Sequence, residues 1–453
     1  MKTTDVLIIG GSAAGMVAAL TGKSSWPKKN FILIKKQKEM MVPCGIPYIF
    51  GTLECSDQNI MPVDTLLAKS GIESIIDEVT MINKEEKTVD LAGGEKIQYD
   101  KLVIATGSIP LKPKWLKGGD KNNVFVIPKE KGYLDEMRAS LEKIHDIVVI
   151  GAGFIGVEFS DELTKRGYKV TLVEKLPDIL MLAFDKELSV KIEEILKARG
   201  VNIITGNGIK EITGNEKVES VILENGETLK ADTVILSVGY KPNAGLAAKA
   251  GIYVDESGFI AVDEYMRTHV KDIFAVGDCA QKRDFVTRAR VSTMLASTAC
   301  AEARIAGMNL FNLNVVKTFS GTIAIYSTAI GDTGFGTAGI TETRAKVEGI
   351  DVITGTFEGV DRHPGNLPDA HKQLVKLIAA RQSGVIIGGE VIGGISAGEL
   401  TNVMGLIIQN RMTVNSLLTS QIGTHPCLTA SPAGYPLIKA AEQIAFKVRT
   451  REC

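Results

Sequence analysis

Six cysteines are the first residues of this 453-residue sequence to consider for chemistry, because a thiolate can be a nucleophile, a metal ligand or a redox group. They lie at positions 44, 55, 279, 300, 427 and 453. None forms a Cys-x-x-Cys pair, and no cluster of cysteine and histidine has zinc-ligand spacing, so we predict no metal site. A cytosol keeps thiols reduced, and we expect most of the six to be small buried apolar side chains. One or two at most should carry chemistry.

Two glycine-rich turns are the second chemical feature. Each follows an apolar strand-like run and precedes a helix-like run. The candidate ligand-binding residues are Gly10, Ser12 and Gly15 in the first turn, and Gly151, Gly153 and Gly156 in the second. Glycine lets the backbone approach a pyrophosphate, and a helix N-terminus offers free N–H donors and the positive end of the helix dipole. Two such strand–turn–helix units predict two bound dinucleotides.

The residue that ends the strand after each turn bears on which dinucleotide binds. Glu174 ends that strand in the second unit, and its carboxylate can accept hydrogen bonds from a ribose 2′-hydroxyl and repel a 2′-phosphate. This favours NADH over NADPH, although the adjacent Lys175 leaves NADPH open. In the first unit Lys35 and Lys36, which we expect to be solvated, stand where an acidic residue is usual. Which residue contacts the ribose in the first unit is therefore undecided from the sequence, although Glu39 lies nearby.

The elements that must position these residues are parallel strands and the helices between them. Each unit requires its own parallel sheet covered by helices on both faces. The separation of the two turns is that of domains rather than of a solenoid repeat. Further turns follow strands at Thr106-Gly107, at Gly239 and at Asp278, and an Ala-rich helix is predicted at about 291–307.

Domain organisation follows from the order of these units. The first domain is predicted to be discontinuous, comprising 1–113 and 244–317, because the strand before Asp278 comes after the second unit. The second domain spans 114–243, where an Asn225-Gly226 turn indicates a hairpin. The third, at 318–453, should contain strands and two helices.

Composition excludes several function classes. With 45% hydrophobic and 23% charged residues the chain is globular in character and long enough for about three domains. Its 52 Lys+Arg and 53 Asp+Glu leave a formal charge of −1, which predicts no nucleic-acid partner. No apolar run reaches the ~18–20 residues of a membrane span, and no signal peptide precedes the first strand. We therefore predict a cytoplasmic α/β protein without a membrane partner.

Taken together, the two dinucleotide turns, Ala105-Thr106-Gly107 and Ala275-Val-Gly-Asp278 resemble the flavin-dependent pyridine nucleotide–disulfide oxidoreductase family over essentially the whole chain. The resemblance implies FAD in the first domain, with Asp278 at the ribitol, and NAD(P)H in the second, with Glu158 near the nicotinamide. Thr106, Gly107 and Gly239 are further candidate cofactor-binding residues. The implied fold is α/β, with two nested Rossmann-like dinucleotide-binding domains and a C-terminal α+β domain that forms a homodimer.

Cys44, in the run Val42-Pro-Cys-Gly-Ile-Pro-Tyr48, indicates the branch of the family. Two-cysteine reductases carry a second cysteine where this chain has Ile49. A lone cysteine followed by Gly-x-Pro resembles coenzyme A disulfide reductases, NADH oxidases, NADH peroxidases and NADH-dependent polysulfide reductases, in which the cysteine cycles through a mixed disulfide or a sulfenic acid. Peroxidases and many oxidases have a histidine in the first glycine loop. This chain has Ala13, as the coenzyme A disulfide reductases do, which favours a sulfur substrate.

His425 is the second candidate catalytic residue. Thr424-His-Pro426 resembles the element by which two-cysteine reductases supply an acid–base histidine from the partner subunit, although the usual acidic residue after it is missing. The alternative is a histidine that caps its own loop. Cys427 could be a second redox thiol but is expected to be buried, while His363 and His371 are expected to be solvated.

The reaction implied by the resemblance moves electrons from NADH through the flavin to Cys44, and from there to a disulfide or polysulfide such as coenzyme A disulfide. A helix beginning near Cys44 is expected to favour the thiolate, and His425 of the partner subunit would protonate the departing thiolate. The alternatives are an NADH oxidase or peroxidase acting on O2 or H2O2, a reductase of a small redox protein, and a flavoprotein that senses NADH.

Overall fold

The computed structural model describes residues 1–316 and 318–450. The predicted domain boundary at Lys317 and the cysteine at position 453 lie outside the described residues. None of the described helices combines the length and the apolar character needed to cross a membrane.

The described residues contain helices throughout the chain. They are α1 (Ala13–Ser25), α2 (Val63–Lys69), α3 (Lys131–Leu141), α4 (Phe154–Lys165), α5 (Lys186–Ala198), α6 (Gly245–Lys249), α7 (Ala296–Met308), α8 (Glu342–Val347), α9 (Ala397–Gln409), α10 (Val414–Leu418) and α11 (Pro436–Thr450).

Strands form the sheets between the helices. They are β1 (Lys2–Ile9), β2 (Phe31–Lys35), β3 (Met40–Met41), β4 (Ile60–Met61), β5 (Glu73–Ile76), β6 (Val79–Asn83), β7 (Thr88–Leu91), β8 (Lys96–Ile104), β9 (Ser108–Pro110), β10 (Val124–Phe125), β11 (Asp146–Ile150), β12 (Lys169–Val173), β13 (Asn202–Ile204), β14 (Ile209–Thr213), β15 (Ser220–Leu223), β16 (Thr228–Lys230), β17 (Thr233–Leu236), β18 (Tyr240–Pro242), β19 (Ile273–Ala275), β20 (Lys282–Arg283), β21 (Arg290–Val291), β22 (Tyr326–Ile330), β23 (Thr333–Gly339), β24 (Val352–Val360), β25 (Lys372–Ala380) and β26 (Ile386–Gly393).

The first sheet has the order β5-β2-β1-β8-β7-β6, with β19 paired to β8. Strands β5, β2, β1, β8 and β19 are parallel, and β2 and the second half of β1, residues 6–9, are runs buried on both faces, as strands covered by helices on both sides must be. β19 lies far along the chain from β8, yet Ile273 pairs with Leu102. This pairing supports a discontinuous first domain.

The second sheet has the order β10-β17-β11-β12-β13, and all of its strands are parallel. A separate antiparallel sheet contains β14, β15 and β16, with the predicted hairpin turn between β15 and β16. The chain passes from the first sheet to the second and later returns, and we call these two connecting segments the crossings. They pair side by side as the antiparallel ribbon of β9 and β18, in which Ser108 lies opposite Pro242.

The C-terminal sheet is antiparallel, with the order β22-β23-β26-β25-β24. Helices α8, α9, α10 and α11 belong to this part of the chain, so the prediction of two helices is wrong. The missed elements are α8 and α10, which span only 6 and 5 residues and are too short to give a helical period in the sequence.

A buried ionic cluster joins the C-terminal sheet to the second unit. Lys376 on β25 lies 3.0 Å from Asp185, 2.7 Å from Glu187 and 3.0 Å from Glu342. Asp185 caps α8 by accepting hydrogen bonds from the backbone N–H groups of Glu342 and Thr343, at 3.0 and 2.8 Å. The cluster therefore fixes the second unit against the C-terminal domain.

Lys376→Met should lower the free energy of unfolding by about 3 kcal/mol, because it leaves the buried carboxylate of Asp185 without its cation. Urea unfolding followed by circular dichroism measures the change. Lys372→Met, at an exposed position of the same strand, is the matched control and should leave the midpoint unchanged. Equal midpoints for the two variants would contradict the structural role of the cluster.

Candidate functional site

The first glycine turn brings β1, β8 and α1 into closer contact than any side chain allows. Gly10 has a φ of +115°, and a Cβ there would lie 2.2 Å from the carbonyl oxygen of Ala105. A Cβ on Gly15 would lie 1.8 Å from the carbonyl oxygen of Gly10. Ser12 is the N-cap of α1 but forms no side-chain cap among the described residues, so the first N–H groups of the helix are left for a ligand.

The second turn repeats this geometry at the start of α4. A Cβ on Gly156 would lie 1.9 Å from the carbonyl oxygen of Gly151, whereas one on Gly153 would meet no atom of the described protein within 4 Å. The Ser237 hydroxyl donates hydrogen bonds to the carbonyls of Ile150 and Gly151, at 2.8 and 2.7 Å. Sequence reasoning missed Ser237, since no motif marks it. Both turns are thus cradles that fit a pyrophosphate.

Glu174 lies beside the second turn, as its position after β12 predicts. Its carboxylate accepts hydrogen bonds from the backbone N–H groups of Ala152, at 2.6 Å, and Leu176, at 2.8 Å. These bonds hold a negative charge at the edge of the cradle. A carboxylate oxygen has lone pairs left for a hydroxyl donor but repels a phosphate.

Lys35 is not solvated as the sequence suggested, whereas Lys36 is exposed. The Lys35 side chain is 1% exposed, its ammonium donates to the backbone carbonyls of Gln37 and Lys38, and it lies 3.1 Å from Asp64. These interactions replace hydration, so Lys35 is a structural residue of the first unit. Glu39 is exposed nearby.

Thr106, Gly107 and Gly239 lie at the crossings between the first two units. The Thr106 hydroxyl donates to the carbonyl of Asn243 at 2.6 Å, and the Asn243 N–H donates to the carbonyl of Gly107 at 2.8 Å. The carbonyl of Gly239 accepts from the N–H of Leu111 at 2.9 Å. All three therefore hold the crossing in place, and their role in cofactor binding stays a prediction.

Cys44 lies in a 3₁₀ turn, Pro43–Gly45, that is followed by a second one, Pro47–Phe50. The expected helix with a useful dipole is absent from this described segment, because two prolines and Gly51 interrupt it. Cys44 is an exposed residue. Partial loss of hydration around its sulfur nevertheless raises the pKa of the thiol, and the neighbouring Glu158 adds to this effect. The protein alone therefore favours the thiol over the thiolate.

Asp278 and Lys129 form the charged pair of the site. The Lys129 ammonium lies 3.0 Å from Asp278, and the Ser108 hydroxyl donates to the same carboxylate at 2.7 Å. Burial alone would raise the pKa of Asp278, but Lys129 and Ser108 hold it below its ordinary value. Lys129 also opposes the increase in the pKa of Cys44. No sequence motif marks Lys129, which reaches the site only through the packing of the two units.

Glu158 lies on α4, two residues after the second cradle. Its carboxylate accepts a hydrogen bond from the Thr328 hydroxyl on β22 at 2.7 Å. Burial raises the pKa of Glu158 to about 7, and the nearby Glu162 contributes to the shift. Glu158 and Asp278 raise the pKa of Cys44 and Lys129 lowers it, so two other predicted residues and one that no motif marks lie close enough to affect the thiol.

His425 lies in an exposed loop of the C-terminal domain. Its Nδ1 accepts a hydrogen bond from the backbone N–H of Cys427 at 3.2 Å. The backbone N–H of His425 donates to the hydroxyl of Thr429 at 3.0 Å. Within residues 1–316 and 318–450, no hydrogen bond joins His425 to the Cys44 segment. Because Nδ1 is an acceptor, the neutral ring carries its proton on Nε2.

The remaining cysteines and histidines differ in part from the expectation. Cys279 is buried, but Cys427 is exposed, so its predicted burial is wrong. Cys55 and Cys300 are intermediate. His363 and His371 were predicted to be solvated. Instead, His363 Nδ1 lies 3.0 Å from the Thr429 carbonyl, and His371 Nδ1 is buried 3.7 Å from the Asp361 carboxylate. No metal-binding group of His, Cys, Asp and Glu occurs among the described residues.

The family model described as pyridine nucleotide-disulphide oxidoreductase matches residues 4–303, and the dimerisation domain of the same family matches 325–433. The chain is 29% identical to an NADH oxidase of Methanocaldococcus jannaschii, over 98% of this chain and 99% of that protein. It is 31% identical to an NAD(P)H coenzyme A polysulfide/persulfide reductase of Pyrococcus horikoshii, over 97% and 98%.

A solved structure agrees with these relatives. An NAD-dependent persulfide reductase from A. fulgidus superposes with a TM-score of 0.89 at 29% identity, over 99% of this chain and 84% of that one. The fold class and the family resemblance predicted from the sequence are confirmed. The chain belongs to the pyridine nucleotide-disulphide oxidoreductase family and is an oxidoreductase.

Proposed function

We propose that this chain uses NADH to reduce a disulfide or polysulfide, with Cys44 as the residue that attacks sulfur. The observation that carries the proposal is the exposed Cys44 thiol, whose pKa is raised by Glu158 of the second unit and Asp278 of the first. The segment that carries the thiol also contacts α4, the helix that begins at the second cradle. The family uses FAD, which when bound supplies the two-electron carrier between NAD(P)H and the sulfur chemistry.

The reaction balances as NADH plus a proton plus a disulfide RSSR giving NAD⁺ and two thiols. The Cys44 thiolate attacks one sulfur of RSSR, which forms a Cys44–SR bond and releases RS⁻. Two electrons from NADH then break the Cys44–SR bond and return the Cys44 thiolate and a second RS⁻. Each departing RS⁻ takes up a proton.

Residues of the two cradles and charged residues that affect Cys44 support these steps. Ser12 at the N-terminus of α1 and Gly153 at that of α4 leave free N–H groups for two pyrophosphates. Lys129 favours the Cys44 thiolate, and Glu158, whose pKa is raised to about 7, is able to hold a proton close to the thiol at neutral pH. His425 of a second subunit, as the imidazolium, would protonate RS⁻.

Several finer features belong to the same proposal. The match to a dimerisation domain supports a homodimer, and the proposed mechanism has His425 of each subunit serve the Cys44 of the other. The division into domains at 1–113 with 244–317, 114–243 and 318–453 is proposed from the sheet pairings. A cytoplasmic location suits the five free cysteines of the described residues, which a reducing compartment preserves.

The electron acceptor is best tested with purified, FAD-loaded protein under anaerobic conditions. NADH oxidation is followed at 340 nm with coenzyme A disulfide, polysulfide and, in a separate aerobic series, O2. Turnover with a sulfur acceptor that exceeds O2-dependent turnover is expected. NADH consumption that matches O2 uptake and is unaffected by added disulfide would favour the NADH oxidase function borne by the Methanocaldococcus jannaschii relative.

Cys44→Ser should keep FAD and its reduction by NADH but lose disulfide reduction by at least about 1,000-fold, because a serine hydroxyl cannot form the mixed disulfide. Stopped-flow spectroscopy separates the two half-reactions. Cys55→Ser, at a partly exposed cysteine close in sequence, is the control and should behave as the native enzyme. Unchanged disulfide turnover in Cys44→Ser would contradict the proposal.

His425→Ala should slow the sulfur half-reaction by roughly 100-fold and leave flavin reduction by NADH unchanged, as expected for loss of a general acid. Single-turnover measurements of each half-reaction give the comparison. His145→Ala, at an exposed histidine of the second unit, controls for the loss of a ring. An equal effect of His425→Ala on both half-reactions would instead indicate that the residue only stabilises its loop.

Glu174→Ala should reduce the preference for NADH over NADPH by about tenfold or more, because it removes a negative charge that repels a 2′-phosphate. The ratio of kcat/KM values for the two nucleotides measures the preference. Unchanged discrimination would show that Glu174 only orders the turn through Ala152 and Leu176.

A further inference from the structure

The segment that follows Cys44 is bound to the C-terminal end of α4. Glu162 of α4 is 5% exposed, and both of its carboxylate oxygens contact Thr52. One accepts from the Thr52 backbone N–H at 2.5 Å, and the other accepts from the Thr52 hydroxyl at 2.9 Å. A buried carboxylate without such partners would be costly, so these bonds specify where Thr52 must lie.

Two cations at the end of the same helix complete the contact. Arg166 donates to the carbonyl of Gly51 at 3.0 Å and to that of Leu53 at 2.8 Å, while Lys165 donates to the Thr52 hydroxyl at 2.9 Å. Three consecutive residues, 51–53, are therefore held by α4.

Apolar packing and a close backbone approach reinforce these bonds. The rings of Phe50 and Phe159 lie 4.9 Å apart between centroids. A Cβ on Gly51 would lie 2.5 Å from the carbonyl oxygen of Glu162, so only glycine allows the segment to lie this close to α4. The segment cannot shift along the helix without losing both kinds of contact.

The Cys44 turn needs such an external anchor. Its two 3₁₀ turns span only 3 and 4 residues, and short 3₁₀ turns have poor hydrogen-bond geometry. By contrast, α4 is a continuous helix of 12 residues that begins at the Gly153 cradle and carries Glu158 one turn before Glu162. One rigid element thus links the second cradle to the segment that carries the thiol.

We propose that Glu162 and Arg166 are positioning residues that fix Cys44 relative to the nucleotide cradle on α4. The inference rests on the proposed function in one respect, namely that Cys44 is the reacting thiol. Neither residue touches a reacting atom. Their role is to keep the thiol in a geometry productive for attack on sulfur, where small displacements are costly.

The test uses the FAD-loaded full chain with Glu162→Ala, which removes both acceptors, and Glu162→Gln, which keeps one. Glu162→Ala should slow the sulfur half-reaction about tenfold and leave flavin reduction by NADH within twofold, and Glu162→Gln should recover much of the loss. Asp161→Asn is the control, since the neighbouring Asp161 binds Arg199 and the N–H of Gly331 instead. It should not change the ratio of the half-reactions.

A second readout distinguishes failure of this inference from failure of the proposed function. The rate at which iodoacetamide alkylates Cys44, followed by peptide-resolved mass spectrometry, should change severalfold in Glu162→Ala and not in Asp161→Asn. If Cys44→Ser retains disulfide turnover but Glu162→Ala still alters alkylation, the positioning role stands and the function falls. If alkylation and the ratio of half-reactions are both native-like, the inference is overturned.

Arg166→Met covers the case in which Glu162→Ala fails to fold. Arg166 is exposed, so its removal leaves no buried charge unpaired, yet it frees the carbonyls of Gly51 and Leu53. A smaller change of the same sign in the sulfur half-reaction is expected. A purely structural contact would lower only the midpoint of thermal unfolding.

Discussion

The packing of α4 against residues 50–53 is the contact on which the rest of the site depends. Two Rossmann-like units can each hold a dinucleotide, but a thiol serves both only if the segment that carries it spans their boundary. Here residues 51–53, which follow Cys44 in the chain, are bound to α4 of the second unit. The antiparallel ribbon of β9 and β18 and the cluster around Lys376 then restrict movement of the second unit on its other sides.

The fold was largely predictable because its signals are local. Glycine at positions 10 and 15 is dictated by backbone contacts that no other residue permits, and an apolar run before each turn leaves few structures other than a buried parallel strand. The short helices α8 and α10 could not be predicted, because five or six residues do not define a helical period in the sequence. The burial of Lys35 could not be predicted, because its acceptors are the backbone carbonyls of Gln37 and Lys38 in a turn that no sequence motif indicates.

The site was less predictable because its electrostatics come from tertiary packing. Cys44 and Asp278 could be singled out by motif, but Lys129 and Ser237 enter through contacts between segments distant in the chain. The helix expected after Cys44 was wrong for a local reason that was visible in the sequence: prolines and a glycine break the run. Without a helix dipole, Lys129 is the cation that lowers the pKa of Cys44, against burial and two carboxylates that raise it.

The charge of Glu158 affects the Cys44 thiol. A negative charge on Glu158 raises the pKa of Cys44, and burial raises the pKa of both groups, that of Glu158 to about 7. Near neutral pH the pair therefore resists carrying two negative charges, so a thiolate at Cys44 is favoured when Glu158 holds a proton. The hydrogen bond from Thr328 opposes this protonation, which makes the C-terminal domain a contributor to the charge state of the site. The charge at Cys44 thus depends on Glu158 of α4, the helix that also binds residues 51–53.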